Sequence, residues 1–171
     1  MTGETQVEAE PQYAAYERLI ADLDAAGARY RLIDHEPEGQ TELVSALRGN
    51  ALAVAAKCLV VMVKLAKKKS HYVLAVVPGD ARLHLAAVKE LLGGTYVAFA
   101  DKARVEELAG SVSGTVLPVS YHEQLELIVD PELLAVPELF FNAARLDRSI
   151  ALSTEDYVRL TEPRVERITA P

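Results

Sequence analysis

Nine consecutive residues, Ala55-Ala56-Lys57-Cys58-Leu59-Val60-Val61-Met62-Val63, constrain this chain more than any other stretch. The run is apolar and rich in β-branched residues, and Lys57 is its only charge. Such a run reads as a strand with little access to water. A lysine near its head is anomalous, because an ammonium without a partner is expensive to bury. Two readings follow. Either Lys57 sits just outside the strand and snorkels to solvent, or the rigid strand aims it into a pocket, where it meets an anionic or carbonyl group. Cys58 is its neighbour in sequence, but neighbours on a strand point to opposite faces. It is therefore read as a small core residue rather than a nucleophile.

A second apolar run, His71 to Val77, follows across a tip carrying Lys64, Lys67, Lys68 and Lys69. The two runs read as a hairpin. The basic tip is either a solvated turn or a contact to a phosphate backbone. Upstream, Gln12 to Ala26 carries Tyr16, Leu19, Ile20 and Leu23 at helical spacing, with Gly27 as terminator. Ala28 to Asp34 alternates as a half-buried strand does. His35-Glu36-Pro37-Glu38-Gly39 is a loop. Thr41 is placed to cap a short helix ending at Gly49.

Downstream, Pro78-Gly79-Asp80 breaks the second run and a helix is expected from there to about Leu92. Thr95 to Ala100 reads as a strand, and Asp101 caps a helix to Ala109. Leu125 to Val129, Leu139 to Phe141 and Ser149 to Leu152 are further strands. Ser153 opens a last helix, with Asp156 three residues on, and Pro163 to Pro171 adds an edge strand. Strands and helices mix without a strict βαβ alternation. The expected fold class is therefore α/β, a single domain over 12–168 with a mixed, curved sheet. Residues 1–11 are acidic and polar and are expected to form a disordered leader.

Composition narrows the function classes. The chain has 171 residues, a formal net charge of -7 and one cysteine. Its acidity argues against a broad nonspecific nucleic-acid surface. A single cysteine excludes an internal disulfide framework and fits a reducing, cytoplasmic setting. No apolar run reaches the roughly 18 residues of a membrane span. No Cys/His cluster has metal spacing, and neither a Walker loop nor a nucleophile elbow is present. The histidines are scattered, with His35 singled out by its loop. Gly110-Ser111-Val112-Ser113-Gly114 is either a plain turn or a loop whose N–H groups approach a ligand oxygen. Phe141 to Ser149 is polar between two apolar strands, and an Arg145–Asp147 contact is its plainest explanation.

Taken in order, these stretches resemble the YbaK / prolyl-tRNA-synthetase-associated domain family of aminoacyl-tRNA editing proteins. The matching pieces are His35-Glu36-Pro37, Thr41, Ala56-Lys57, Val77-Pro78-Gly79-Asp80, Gly110-Ser111-Val112-Ser113, Ile128-Val129-Asp130 and Phe141-Asn142-Ala143-Ala144-Arg145 with Asp147 to Leu152. The resemblance implies a barrel-like mixed sheet flanked by helices. It implies hydrolysis, in trans, of the ester joining a wrong amino acid to the tRNA 3′ end. Lys57 is then the catalytic residue, placing the terminal adenosine or the ester. Substrate would be bound by His35, Thr41, Gly110, Ser111, Val112, Ser113, Gly114, Asp130, Asn142, Arg145 and Asp147. No metal or organic cofactor is implied, because water attacks with help from substrate and backbone groups.

The implied partner is the aminoacylated acceptor end of tRNA, with an aminoacyl-tRNA synthetase as a second candidate and no membrane. Oligomeric state stays open. Where many family members read Gly-x-x-Ser-Pro, this chain has Gly114 after Ser113, which implies a different pocket wall. Two other readings compete: a non-catalytic module of the same fold that binds tRNA ends or a synthetase, and a small-molecule binder without RNA.

Overall fold

The computed structural model describes residues 13–171, so the expected leader lies outside the described residues. Helix α1 (Ala14–Ala25) buries Leu19 and Leu23 completely and ends before Gly27, which takes φ +62°. Strand β1 (Tyr30–Asp34) follows, then α2 (Thr41–Arg48), β2 (Ala56–Leu65), β3 (Lys69–Pro78) and α3 (Leu85–Leu91). Beyond them come β4 (Tyr96–Phe99), α4 (Lys102–Ala109), β5 (Leu125–Val129), β6 (Glu138–Asn142), β7 (Arg148–Ser153), α5 (Thr154–Thr161) and the short β8 (Arg164–Val165).

The strands form two sheets. One is antiparallel, in the order β1-β7-β6; the other is mixed, in the order β4-β2-β3-β5-β8. β2 and β3 form the expected hairpin, paired from Ala56–Pro78 to Leu65–Lys69. A bridge between Ala55 and Phe140 joins the two sheets at the head of β2, giving the barrel-like outline. The hairpin is covered on both faces, which is why its strands read as nearly continuous apolar runs. Val60, Leu74 and Val76 meet Leu19, Phe141, Ile150 and Tyr157 on one side. Val61, Val63, Val73 and Val77 meet Val88, Ile128 and Ile168 on the other.

Several local expectations are corrected. Thr41 is the first residue of α2 and makes no capping bond; Gln40 holds the N-cap position. The Glu38 carboxylate turns this corner instead, accepting from the N–H groups of Gly39 and Gln40 at 2.9 and 3.1 Å. α3 begins at Leu85 rather than directly after Asp80, because the chain tail claims the intervening residues. Leu83 bridges Thr169, and the His84 N–H donates to the Ile168 carbonyl. Asp101 does cap α4, accepting from the Arg104 N–H at 2.8 Å. Ser153 caps α5, while Asp156 turns back to accept from the backbone N–H and side chain of Arg29 at 2.8 and 2.9 Å.

Candidate active site

A cavity of about 380 Å³ opens where the two sheets part, alongside the first half of β2. Thr41 and Arg48 of α2 line one wall, Ser113 and Gly114 another, and Phe141 and Asn142 the base. A broader recess of about 690 Å³ adjoins it, lined by Glu42, Asp80, Ala81 and Arg82. Lys57, Leu59 and Phe99 border both hollows. Phe99 is 56% exposed, a large apolar residue open to solvent at this border.

Lys57 is half-buried in β2, and its ammonium donates to the Ala81 carbonyl at 2.5 Å. Burial pushes its pKa below the ordinary lysine value, partly offset by the carboxylates of Asp80 and Glu42. The amine is tied to the loop after β3, at the junction of the two hollows. Cys58 is separated from it chemically. Burial drives its thiol pKa well up, so it stays protonated and inert.

The opposite wall is a polar network. Asn142 donates to the carbonyls of Glu38 and Gly114 at 2.9 and 3.1 Å, tying two loops together. Its Oδ1 accepts from the buried Ser149 hydroxyl at 3.0 Å. The same hydroxyl lies 2.7 Å from His35 Nε2. Arg48 donates to the Oγ atoms of Ser149 and Ser45, each at 3.2 Å, and to Asn50 Oδ1 at 2.9 Å. No carboxylate pairs with Arg48 among the described residues. Burial lowers its pKa to about 10, so it remains a cation near neutrality. Sequence reasoning missed this residue. Its only signal was a basic residue at the end of a short helix, where interaction with the helix dipole is the usual explanation.

Of the residues that the sequence put forward, Thr41, Lys57, Ser113, Gly114 and Asn142 line the smaller cavity. His35 stands one layer behind, through Ser149. Gly110 ends α4 with φ +70°, the Ser111 hydroxyl is tied to the Thr115 carbonyl, and Val112 points to solvent. Asp130 lies elsewhere. It is fully buried and accepts from the N–H groups of Glu132, Ile168 and Thr169, fastening the tail. Arg145 and Asp147 form a two-pronged ion pair at 2.9 and 3.1 Å, with the guanidinium 4.2 Å from the Tyr13 ring centre.

Gly114 explains its own departure from the usual pattern. It takes φ +87°, which proline cannot adopt. A Cβ there would stand 3.0 Å from the Cα of Gly39, so two loop backbones touch at the cavity rim.

The model of the aminoacyl-tRNA editing domain matches residues 35–160. The chain belongs to this family. Among its relatives, the multifunctional Ser/Thr-tRNA deacylase ProXp-y of Escherichia coli K12 is 40% identical over 151 residues, 88% of this chain and 90% of that protein. The prolyl-tRNA editing protein ProX of Acetoanaerobium sticklandii is 24% identical over 152 residues, 86% of this chain and 91% of that protein. Among solved structures, a hypothetical protein superposes with a TM-score of 0.79 at 27% identity, over 90% of this chain and 99% of the other. A provisional trans-editing enzyme for prolyl-tRNA synthetase gives 0.75 at 22% identity, over 92% and 98%, a likeness of fold. Within the editing family the fold is thus shared along nearly the whole length. Among the described residues, no His/Cys/Asp/Glu group is arranged to hold a metal ion, and no helix is long and apolar enough to cross a membrane.

Proposed function

We propose that this chain is an aminoacyl-tRNA deacylase that removes serine or threonine from mischarged tRNA in trans. The carrying observation is the 40% identity to a Ser/Thr-tRNA deacylase over 88% of the chain. The cavity chemistry supports the choice of amino acid. Its walls carry Thr41, Ser113 and Arg48, which pairs with no carboxylate among the described residues, a polar surface suited to a hydroxylated side chain. A site that hydrogen-bonds a substrate hydroxyl discriminates strongly against analogues lacking it.

In this reading the amino acid enters the smaller cavity, and the terminal nucleotide lies in the broader recess. The exposed Phe99 ring offers its adenine a stacking surface. Lys57, on the border of both, leaves the Ala81 carbonyl to hold the nucleotide end against the ester. A water oxygen adds to the ester carbonyl carbon. The C–O bond to the ribose then breaks, the ribose oxygen takes a proton, and the free amino acid leaves. No side-chain nucleophile is required, in keeping with the inert Cys58 thiol.

The test is deacylation of Ser-, Thr-, Ala- and Cys-tRNA by wild type and by Lys57→Ala. Lysine-dependent turnover of the seryl and threonyl esters is expected. Binding without turnover of any charged tRNA would favour the non-catalytic module instead.

A further inference from the structure

Five consecutive residues of β2, Ala56 to Val60, border the smaller cavity. Side chains alternate between the faces of a strand, so a hollow touched by five in a row must run along the strand's edge. Three hydrogen bonds show which backbone groups face it. The Gly79 N–H donates to the Ala55 carbonyl at 2.9 Å, so odd-numbered residues here point toward β3. The N–H groups of Ala100 and Thr95 donate to the carbonyls of Val60 and Lys64 at 3.0 and 2.8 Å, so even-numbered residues point away from β3.

On that far side, β4 begins to pair only at Val61, and the other sheet reaches only the Ala55–Phe140 bridge. Between these two closures no strand among the described residues pairs with this edge, and residues 56 to 59 are all half-buried rather than buried. The N–H and C=O of Cys58 open into the gap. An aminoacyl ester carries the same N–Cα–C=O unit as any residue in a strand.

We infer that the substrate's aminoacyl group docks on this edge as a single added β-residue. Its α-ammonium donates to the Cys58 carbonyl, and its ester carbonyl oxygen accepts from the Cys58 N–H. This is the double exchange of an antiparallel pair, and the same main-chain mode by which peptides extend sheets. The assignment rests on the deacylase reading above. It gives the N–H a catalytic task, because negative charge gathers on that oxygen as water adds and the donor is already in place. It also fits the inert thiol at this position: the backbone is used, and the side chain is not.

The decisive probe is 3′-(L-seryl)amino-3′-deoxyadenosine, whose amide resists hydrolysis. Titrated into ¹⁵N-labelled protein, it is expected to move the Cys58 amide proton downfield and to slow its exchange with solvent. Binding that leaves the Cys58 amide unmoved overturns the inference. The analogue with hydroxyl in place of the α-amine is expected to bind about tenfold more weakly, and equal binding refutes the ammonium contact. In turnover, Cys58→Pro deletes one outward N–H without touching the β3 ladder. Its kcat is expected to fall by about 10²–10³, with circular dichroism unchanged. Undiminished kcat overturns the inference, and if the variant fails to fold the titration decides alone. A wild type that binds the probe through Cys58 yet hydrolyses no charged tRNA refutes the deacylase reading and leaves the docking edge standing.

Discussion

Arg48→Met separates substrate reading from stability. Methionine keeps much of the side-chain length and removes the cation. In the wild type, burial moves the Arg48 pKa from 12.5 to about 10. That displacement is worth roughly 3 kcal/mol against the charged form, and partial exposure to water reduces it to about 1–2 kcal/mol. Against this stand three hydrogen bonds, to Ser45, Asn50 and Ser149. Each contributes about 0.5–1.5 kcal/mol net, and the Ser149 hydroxyl keeps His35 and Asn142 as partners. The bonds outweigh the desolvation on balance, so unfolding free energy by urea titration is expected to fall by up to about 3 kcal/mol.

Activity is expected to respond selectively. A hydrogen bond from a charged donor to a substrate hydroxyl is worth about 1.5–3 kcal/mol, or about 10- to 150-fold in kcat/KM. The loss is expected for seryl- and threonyl-tRNA and not for any residual activity on alanyl-tRNA. Equal losses on hydroxylated and plain substrates would refute Arg48 as a reader of the hydroxyl.

Lys57→Ala is expected to abolish deacylation while leaving the circular dichroism and melting temperature close to wild type. Because burial lowers the Lys57 pKa, the ammonium is lost at lower pH than for an ordinary lysine. Wild-type kcat/KM should therefore decline as pH rises through that lowered value, and a profile flat up to pH about 10 would count against a charged Lys57. Gly114→Ala meets both a left-handed backbone and the Gly39 Cα; a loss of about 1–3 kcal/mol in urea unfolding is expected, together with a raised KM. Asp156 is held near pKa 2 by Arg29, below its ordinary 3.8. Its contribution is full above about pH 4 and fades as pH falls toward 2. Acid titration of Asp156→Asn should show less loss of stability across that window than wild type does.

The parts legible in the sequence were those set by local chemistry. The hairpin showed in two β-branched runs, α4 in its Asp101 cap, and Lys57 in its conflict with an apolar run. Ser113 and Gly114 showed in a glycine-bounded loop and Asn142 in a polar segment between apolar strands, and the family resemblance gave them a role. What stayed hidden depends on contacts distant in sequence. Asp130 looked like a site residue, yet its carboxylate binds a chain tail nearly forty positions away. Arg48 looked like an ordinary helix end, because its lack of a carboxylate partner among the described residues is a property of the folded wall. The open edge of β2 depends on where two other strands stop pairing, which no local pattern encodes.

That edge also bears on how the molecule keeps company. An uncovered strand normally invites a neighbour's strand to pair with it, and proteins blunt such edges with charge or cover. Here the uncovered length is four residues, about 13 Å, stopped by Phe140 at one end and Ala100 at the other. A foreign polypeptide needs room to continue in both directions and finds none. On the docking inferred above, a nascent chain on its tRNA would meet the same obstruction at its next residue back. With the docking inferred above, shortness alone would let the slot refuse both growing peptides and foreign strands.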